Sequence, residues 1–257
     1  MRVYVLVENT SCHGFDTEHG LSLYIDTGTR KILFDMGGSD LFYKNAVKLG
    51  IDLSLVDMAI ISHGHSDHGG GLSTFLKINK SAPVYISKRA FLPYYNAKGN
   101  YIGLDMELER NPRLIFVDDT IKIDDKITIY PASKIELKNE INSFGLTKKV
   151  DNVSENDDFA HEQYLEIIQG NSKILFSGCS HRGILNIVSS LLPNLVIGGF
   201  HSSKIQDENE LFALASNLDN TGAKFITCHC TGVNQFNLMA KNSKNIFYAS
   251  TGDVFEI

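Results

Sequence analysis

Three histidines and one aspartate fall within six residues, in the run Ser62-His63-Gly64-His65-Ser66-Asp67-His68-Gly69-Gly70-Gly71. The run follows Met58 to Ile61, a short apolar stretch suited to a buried strand. A strand end that opens into a glycine-rich loop frees the backbone to aim several side chains at one point. Imidazole and carboxylate together form a donor set for Zn²⁺, Fe or Mn²⁺. A lone histidine is an ordinary surface or core residue, but four ligand-type side chains at this spacing predict a metal loop.

The surrounding pattern alternates strands and helices. Val3 to Val7 reads as a strand, and Leu21 to Asp26 with Lys31 to Asp35 as a hairpin about Thr27-Gly28-Thr29. Leu41 to Leu49 predicts a helix closed by Gly50, Leu72 to Leu76 a second helix, and Pro83 to Ser87 a strand. In the second half, Leu114 to Val117, Ile121 to Ile123 and Lys126 to Tyr130 read as strands. Gln163 to Ile168 and Lys173 to Phe176 form a second hairpin about Gly170-Asn171. Gly183 to Leu192 and Glu208 to Leu218 are helices, Leu195 to Gly198 and Lys224 to Thr227 strands, and Phe247 and Val254 to Ile257 suggest closing strands. Asp151 to Asp158 reads as a polar acidic loop. Two halves of this kind predict an α/β fold with two mixed sheets packed together and helices outside, as one domain over residues 1–257. Residues 88–113 break the pattern with Tyr94, Tyr95 and Tyr101, and read as a lid or insertion, or else as a surface loop packed on its aromatics.

Charge excludes some functions. Twenty-four basic against 30 acidic side chains leave a formal charge of −6 with no basic run, which argues against a general nucleic-acid binder but not against a small anion bound locally. The N-terminal segment lacks signal-peptide features, and no apolar stretch approaches the roughly 18 residues of a membrane span. Cys12, Cys179, Cys228 and Cys230 do not suggest a disulfide framework, so the expected location is the cytoplasm. No phosphate-binding P-loop, dinucleotide fingerprint or nucleophile elbow is present.

His63-x-His65-x-Asp67-His68 resembles the signature of the metallo-β-lactamase superfamily, and Ile32-Leu33-Phe34-Asp35-Met36-Gly37 is similar to that superfamily's upstream strand and Asp/Gly element. Glu18-His19-Gly20-Leu21-Ser22, Ser177-Gly178-Cys179-Ser180-His181, Gly198-Gly199-Phe200-His201 and His229-Cys230-Thr231-Gly232 extend the resemblance over nearly the whole chain. They point to the branch typified by 7,8-dihydropterin-6-methyl-4-(β-D-ribofuranosyl)aminobenzene-5′-phosphate synthase. The resemblance implies a four-layer αβ/βα sandwich holding two divalent metal ions, Zn²⁺ first and Fe or Mn²⁺ as alternatives. It implies that His63 and His65 serve one metal, Asp67 and His68 the second, and that His229 completes the second site. His181 stands where a third ligand for the first is needed, with His161 as its rival. Much of the superfamily has a bridging Asp where this chain has Cys179, which is either a ligand or an inert buried thiol. Cys228 and Cys230, flanking His229 in an extended strand, would point to the opposite face and pack.

The remaining candidates follow from position. The strand exit at Ser177 to His181, with a helix starting near Gly183, offers free N–H groups to a phosphate or carboxylate. His201, at another strand end, is a general acid or phosphate contact, or else a hydrogen-bonding neighbour of the metals. His19 and Asp35 could brace the metal loop, and His13 reads as a surface residue. Lys88 and Arg89 are candidate phosphate contacts, and Tyr94 and Tyr95 candidate stacking platforms. The expected activity is hydrolysis of a small phosphorylated or otherwise anionic compound by a metal-bound hydroxide, with Asp67 orienting the nucleophile. A pterin-type condensation and an inactive metal-binding scaffold are the alternatives.

Overall fold

The computed structural model describes all residues except Cys12 and His13, so the expectation for His13 lies outside the described residues. Two seven-stranded sheets dominate. The first runs, edge to edge, Val254–Glu256, Arg2–Val7, Ser22–Asp26, Lys31–Phe34, Met58–Ile61, Val84–Ser87, Leu114–Val117. The second runs Ile246–Tyr248, Lys224–Thr227, Leu195–Gly198, Ser172–Ser177, Gln163–Gln169, Ile127–Pro131, Ile121–Lys122. Each has four adjacent parallel strands continued by antiparallel ones.

The two-residue period of the strands builds the layers. Ile32, Phe34 and Ile60 point to the second sheet, where they meet Ile129, Leu165, Ile174 and Phe176. Their neighbours Leu33, Ala59 and Ile61 point outward, under Phe42 and Ala46 of helix Leu41–Lys48 and Leu72 and Phe75 of helix Leu72–Ile78. Leu175, Val196 and Phe225 likewise face helices Ile184–Leu191, Glu208–Asp219 and Val233–Ala240 through Ile187, Leu211, Ala215 and Met239. The result is the expected four-layer sandwich. Phe34 and Phe176 meet across the sheets with ring centroids 6.0 Å apart, a pairing worth about 0.5–1.5 kcal/mol beyond area burial. Gln163 stitches the sheets together, its Nε2 donating to the carbonyls of Ile61 (2.8 Å) and Tyr85 (3.0 Å).

Two expectations are corrected. Leu114–Val117 belongs to the first sheet, beside Val84–Ser87, and not with the strands that follow it. Residues 151–158 are not simply a loop: Thr147–Val150 and Val153–Asn156 form a hairpin that pairs with Tyr94–Tyr95 in a small third sheet. Its turn needs two consecutive residues at positive φ, and Asp151 (49°) and Asn152 (64°) supply them. Its second strand is wholly exposed, so no apolar alternation marked it in the sequence.

Candidate metal centre

Parallel strands of both sheets end at one rim, and the chemistry-bearing residues follow those ends. Asp35 follows Lys31–Phe34, His63 follows Met58–Ile61, Cys179 and His181 follow Ser172–Ser177, His201 follows Leu195–Gly198, and His229 follows Lys224–Thr227. The carboxyl ends of strands are the general place for ligands in such sheets. The loop after Met58–Ile61 can sit this tightly because its glycines abut backbone: a Cβ on Gly64 would lie 2.3 Å from the Ala90 carbonyl oxygen, and one on Gly71 2.3 Å from that of Met36.

Asp35 organises the floor of the site. It is fully buried and accepts from the Ser62 N–H (2.6 Å), the Ser62 hydroxyl (2.7 Å) and His68 Nδ1 (2.7 Å). The Ser62 hydroxyl, already donating to Asp35, accepts from His63 Nδ1 at 2.9 Å. Asn9 Oδ1 accepts from His229 Nδ1 at 2.9 Å. These contacts assign the Nδ1–H tautomer to His63 and His229 and leave their Nε2 lone pairs bare. His63 Nε2 is buried without a partner, and His229 Nε2 faces His68 Nε2 at 3.1 Å. Burial disfavours the His68 imidazolium, but the nearby carboxylates of Asp35 and Asp67 outweigh it and push its pKa up to about 9. Without metal a proton on His68 Nε2 fills the gap to His229 Nε2, and a bound cation would take that proton's place between the two nitrogens.

Asp67 opens the short helix Ser66–Gly69, its Oδ2 lying 3.3 Å from both His19 Nε2 and His229 Nε2. Burial opposes its ionisation, yet His68, His19 and His229 hold the carboxyl well below the usual range. His181 stacks flat on Phe159 at 4.3 Å, and its ring centroid lies 4.9 Å from that of His63 and 5.1 Å from that of His65. Both of its nitrogens are buried without hydrogen bonds. Those of His161 are committed: Nδ1 accepts from the Gly64 N–H at 2.8 Å, and Nε2 donates to Asp157 at 3.1 Å. His161 therefore acts as a brace under the loop, and His181 is the histidine with free lone pairs. His201 also keeps both nitrogens unpartnered, 4.1 Å from His181 between ring centroids.

Other placements depart from expectation. The N–H groups at the strand exit are already taken: those of His181 (2.8 Å) and Arg182 (3.1 Å) donate to the buried Glu162 carboxylate. An internal carboxylate thus occupies the expected phosphate position. Cys228 does pack between the sheets. Cys230 does not follow it: the strand stops at Thr227, the chain enters a 3₁₀ turn at His229–Thr231, and strand alternation ends with it. Cys230 lines the same cavity as Cys179 and His229. Burial pushes the Cys179 thiol well up. Lys88 pairs with Asp118 at 3.0 Å and, with Arg89, lines a separate shallow cavity beside Pro131 and Ala160, away from the histidines. Tyr94 is buried against His161 (4.0 Å), and Tyr95 packs on Tyr101 (5.7 Å), so neither presents the stacking face that was expected.

Residues missed by sequence reading hold the frame. Asp157 is buried beside His65 and His161, and nothing in the polar run around it distinguishes it from its exposed neighbours. Glu8 accepts from the His229 N–H at 2.6 Å and from the Tyr248 hydroxyl at 2.8 Å, fixing the last histidine from the opposite end of the chain. Asp35, Ser180, His201 and His229 all have positive φ (51° to 59°), so backbone strain concentrates here.

The cluster floors a cavity of about 530 Å³ lined by His65, Asp67, Cys179, His181, His201 and His229, with Ile102 and Leu146 on its wall and Lys204 at its side. Unpartnered buried nitrogens on His63, His65 and His181, and the facing Nε2 atoms of His68 and His229, fit a divalent metal.

The chain belongs to the metallo-β-lactamase superfamily, whose family model matches residues 16–216. Among relatives, it is 30% identical to an uncharacterized protein of Methanocaldococcus jannaschii, over 99% of this chain and all of that one. It is 28% identical to the 7,8-dihydropterin-6-methyl-4-(β-D-ribofuranosyl)-aminobenzene-5′-phosphate synthase of the same organism, over 96% of this chain and 93% of that one. A crystal structure of a metal-dependent hydrolase of the β-lactamase superfamily, Tm1679, superposes with a TM-score of 0.88 at 30% identity, covering 100% of this chain and 99% of that one.

Proposed function

We propose that the protein is a metal-dependent hydrolase of a small phosphorylated or otherwise anionic compound. The observation that carries this reading is the set of bare, buried imidazole nitrogens under an open cavity of small-molecule size. His63, His65 and His181 would hold one divalent metal, and Asp67, His68 and His229 a second. Zn²⁺ suits these donors best, with Fe and Mn²⁺ as alternatives. A metal held there supplies Lewis acidity and makes bound water more acidic.

The chain's own groups do the rest. Asp67 stays ionised and accepts a hydrogen bond from the attacking water, fixing its direction. Lys204 is the one lysine or arginine among the described residues lining the cavity, and its ammonium meets the substrate anion. His201, with both nitrogens free and a place on the cavity wall, protonates the leaving oxygen. Cys179, Cys228 and Cys230 are free thiols, which suits the reducing cytoplasm. Among the described residues, no helix is long and apolar enough to cross a membrane.

The similarity to a named synthase favours a second reading, condensation of a dihydropterin pyrophosphate with an aminobenzene ribotide phosphate, on the same metal residues. The test is metal content by elemental mass spectrometry, followed by a panel of phosphomonoesters, phosphodiesters and carboxylic esters and, separately, the two synthase substrates with product mass spectrometry. Hydrolysis that follows metal content and disappears in a folded Asp67→Ala variant is expected. Condensed product would establish the synthase, and bound metal with no turnover would leave a scaffold.

A further inference from the structure

Cys179 stands at the corner of two ligand sets. Its sulfur lies within 4.8 Å of the ligand nitrogens of His63 and His181, and within 4.8 Å of those of His68 and His229. The separation from His68 Nε2 is only 3.2 Å. Each set has the span of ligands around one ion, since Zn–N and Zn–S bonds of about 2.0–2.3 Å place two ligands at most about twice that apart. Among the described residues, Cys179 alone belongs to both sets.

The backbone is built to put it there. A Cβ on Gly178 would lie 2.1 Å from the Ser62 hydroxyl and 3.1 Å from His63 Nδ1, so only glycine lets the chain pass this close to the floor of the site. The next residue is thereby delivered between the histidine pairs. Cys228 provides an internal contrast. It is an inert buried cysteine and sits, as such residues do, among Ile and Phe side chains between the sheets. Cys179 is as buried, but it is surrounded by imidazoles whose lone pairs a single thiol cannot satisfy.

We propose that Cys179 bridges two metal ions through its thiolate, shared between the His63/His181 side and the His68/His229 side. This rests on the metal-dependent reading above and adds the nature of the bridge. On loading, the Sγ–H proton passes to solvent and the sulfur forms one bond to each ion, with no change in oxidation state. Cys230, whose sulfur lies within 4.8 Å of Cys179 and of His201, is a positioning residue for the bridge and not a shared ligand. A bridging thiolate shifts metal preference toward Zn²⁺ and Fe²⁺ and away from Mn²⁺ and Mg²⁺.

The full-length protein is stripped of metal and titrated with Co²⁺, with absorption spectra and metal stoichiometry recorded together. The wild type is expected to take up two ions and to develop an intense near-ultraviolet sulfur-to-cobalt charge-transfer band. Cys179→Asp replaces the thiolate with a carboxylate bridge: it should still bind two ions but lose the band. Cys179→Ser should lose the band and fall to one tightly held ion, whereas Cys230→Ser should keep both band and stoichiometry. Two bound ions without the band in the wild type, or a band that persists in Cys179→Asp, would overturn the thiolate bridge while leaving the metal reading intact. Failure of the wild type to bind any metal would overturn both.

Discussion

Replacing Asp35 by Asn separates orientation of the metal ligands from ligation itself, because Asp35 accepts three hydrogen bonds and does not line the cavity above the histidines. An amide keeps one acceptor, enough for the Ser62 N–H. Its NH₂ then confronts two donors, the Ser62 hydroxyl and His68 Nδ1–H. Hydrogen bonds to a charged partner are worth about 1.5–3 kcal/mol each, so losing two costs about 3–6 kcal/mol. That is a large share of the roughly 5–15 kcal/mol of a typical fold. The strain is relieved if His68 moves its proton to Nε2, which withdraws the lone pair facing His229, and if Ser62 turns away and frees the His63 tautomer. Both ligand sets are thus affected by one atom's change. Orienting partners of this kind are worth 10–100-fold in metal affinity. The assay is chelator competition on purified Asp35→Asn, with thermal unfolding of the metal-free protein in parallel. The expected result is a 10–100-fold weaker affinity together with a clear fall in Tm. Wild-type affinity in a folded variant would refute the idea that Asp35 sets the tautomers of this site.

Two further outcomes are expected. His201→Ala should lower kcat by about 10²–10⁴-fold with metal content unchanged, the loss shrinking when the leaving group is a nitrophenolate; a raised KM with no dependence on leaving group would assign His201 to substrate binding instead. In metal-free protein, His68 moves from its ordinary 6.5 to about 9. The associated stability is fully present below pH 6.5 and lost as pH rises through about 9, whereas metal, which must displace this proton, should bind at least about tenfold more tightly per pH unit across that window, the Cys179 proton adding to the slope. Denaturant titrations and metal affinities of wild type and His68→Asn from pH 6 to 10 test both trends, and flat profiles in the wild type would count against them.

The legible parts of the chain were those whose signal is local. The strand Met58–Ile61, the two hairpins and the helix after Gly183 all carry apolar periodicity or turn residues in sequence. His63, His65, Asp67 and His68 could be found because they are contiguous. Asp157 and Glu8 could not. Asp157 is a carboxylate among polar neighbours and Glu8 one just past an apolar strand, and only the third sheet and the pairing of distant strands bury them. Cys230 was misplaced for a related reason: strand alternation was extended past Thr227, where a left-handed His229 reverses it. Lys88 and Arg89 lie near the tyrosines in sequence, but Val84–Ser87 delivers them to a different face.

The pairing of Arg2–Val7 with Val254–Glu256 has a consequence for how the protein is made. On the ribosome, the first sheet waits for Val254–Glu256, which is synthesised long after Arg2–Val7. Glu8, which follows the early strand, must also find the His229 N–H, 221 positions away. Contacts of such separation form slowly, because the loop they close is long. The histidine constellation therefore completes itself only when these distant segments have met. A nascent chain carries most of the ligands but not yet their geometry, and a stop before Val254 would yield a polypeptide that holds the motif and lacks the centre.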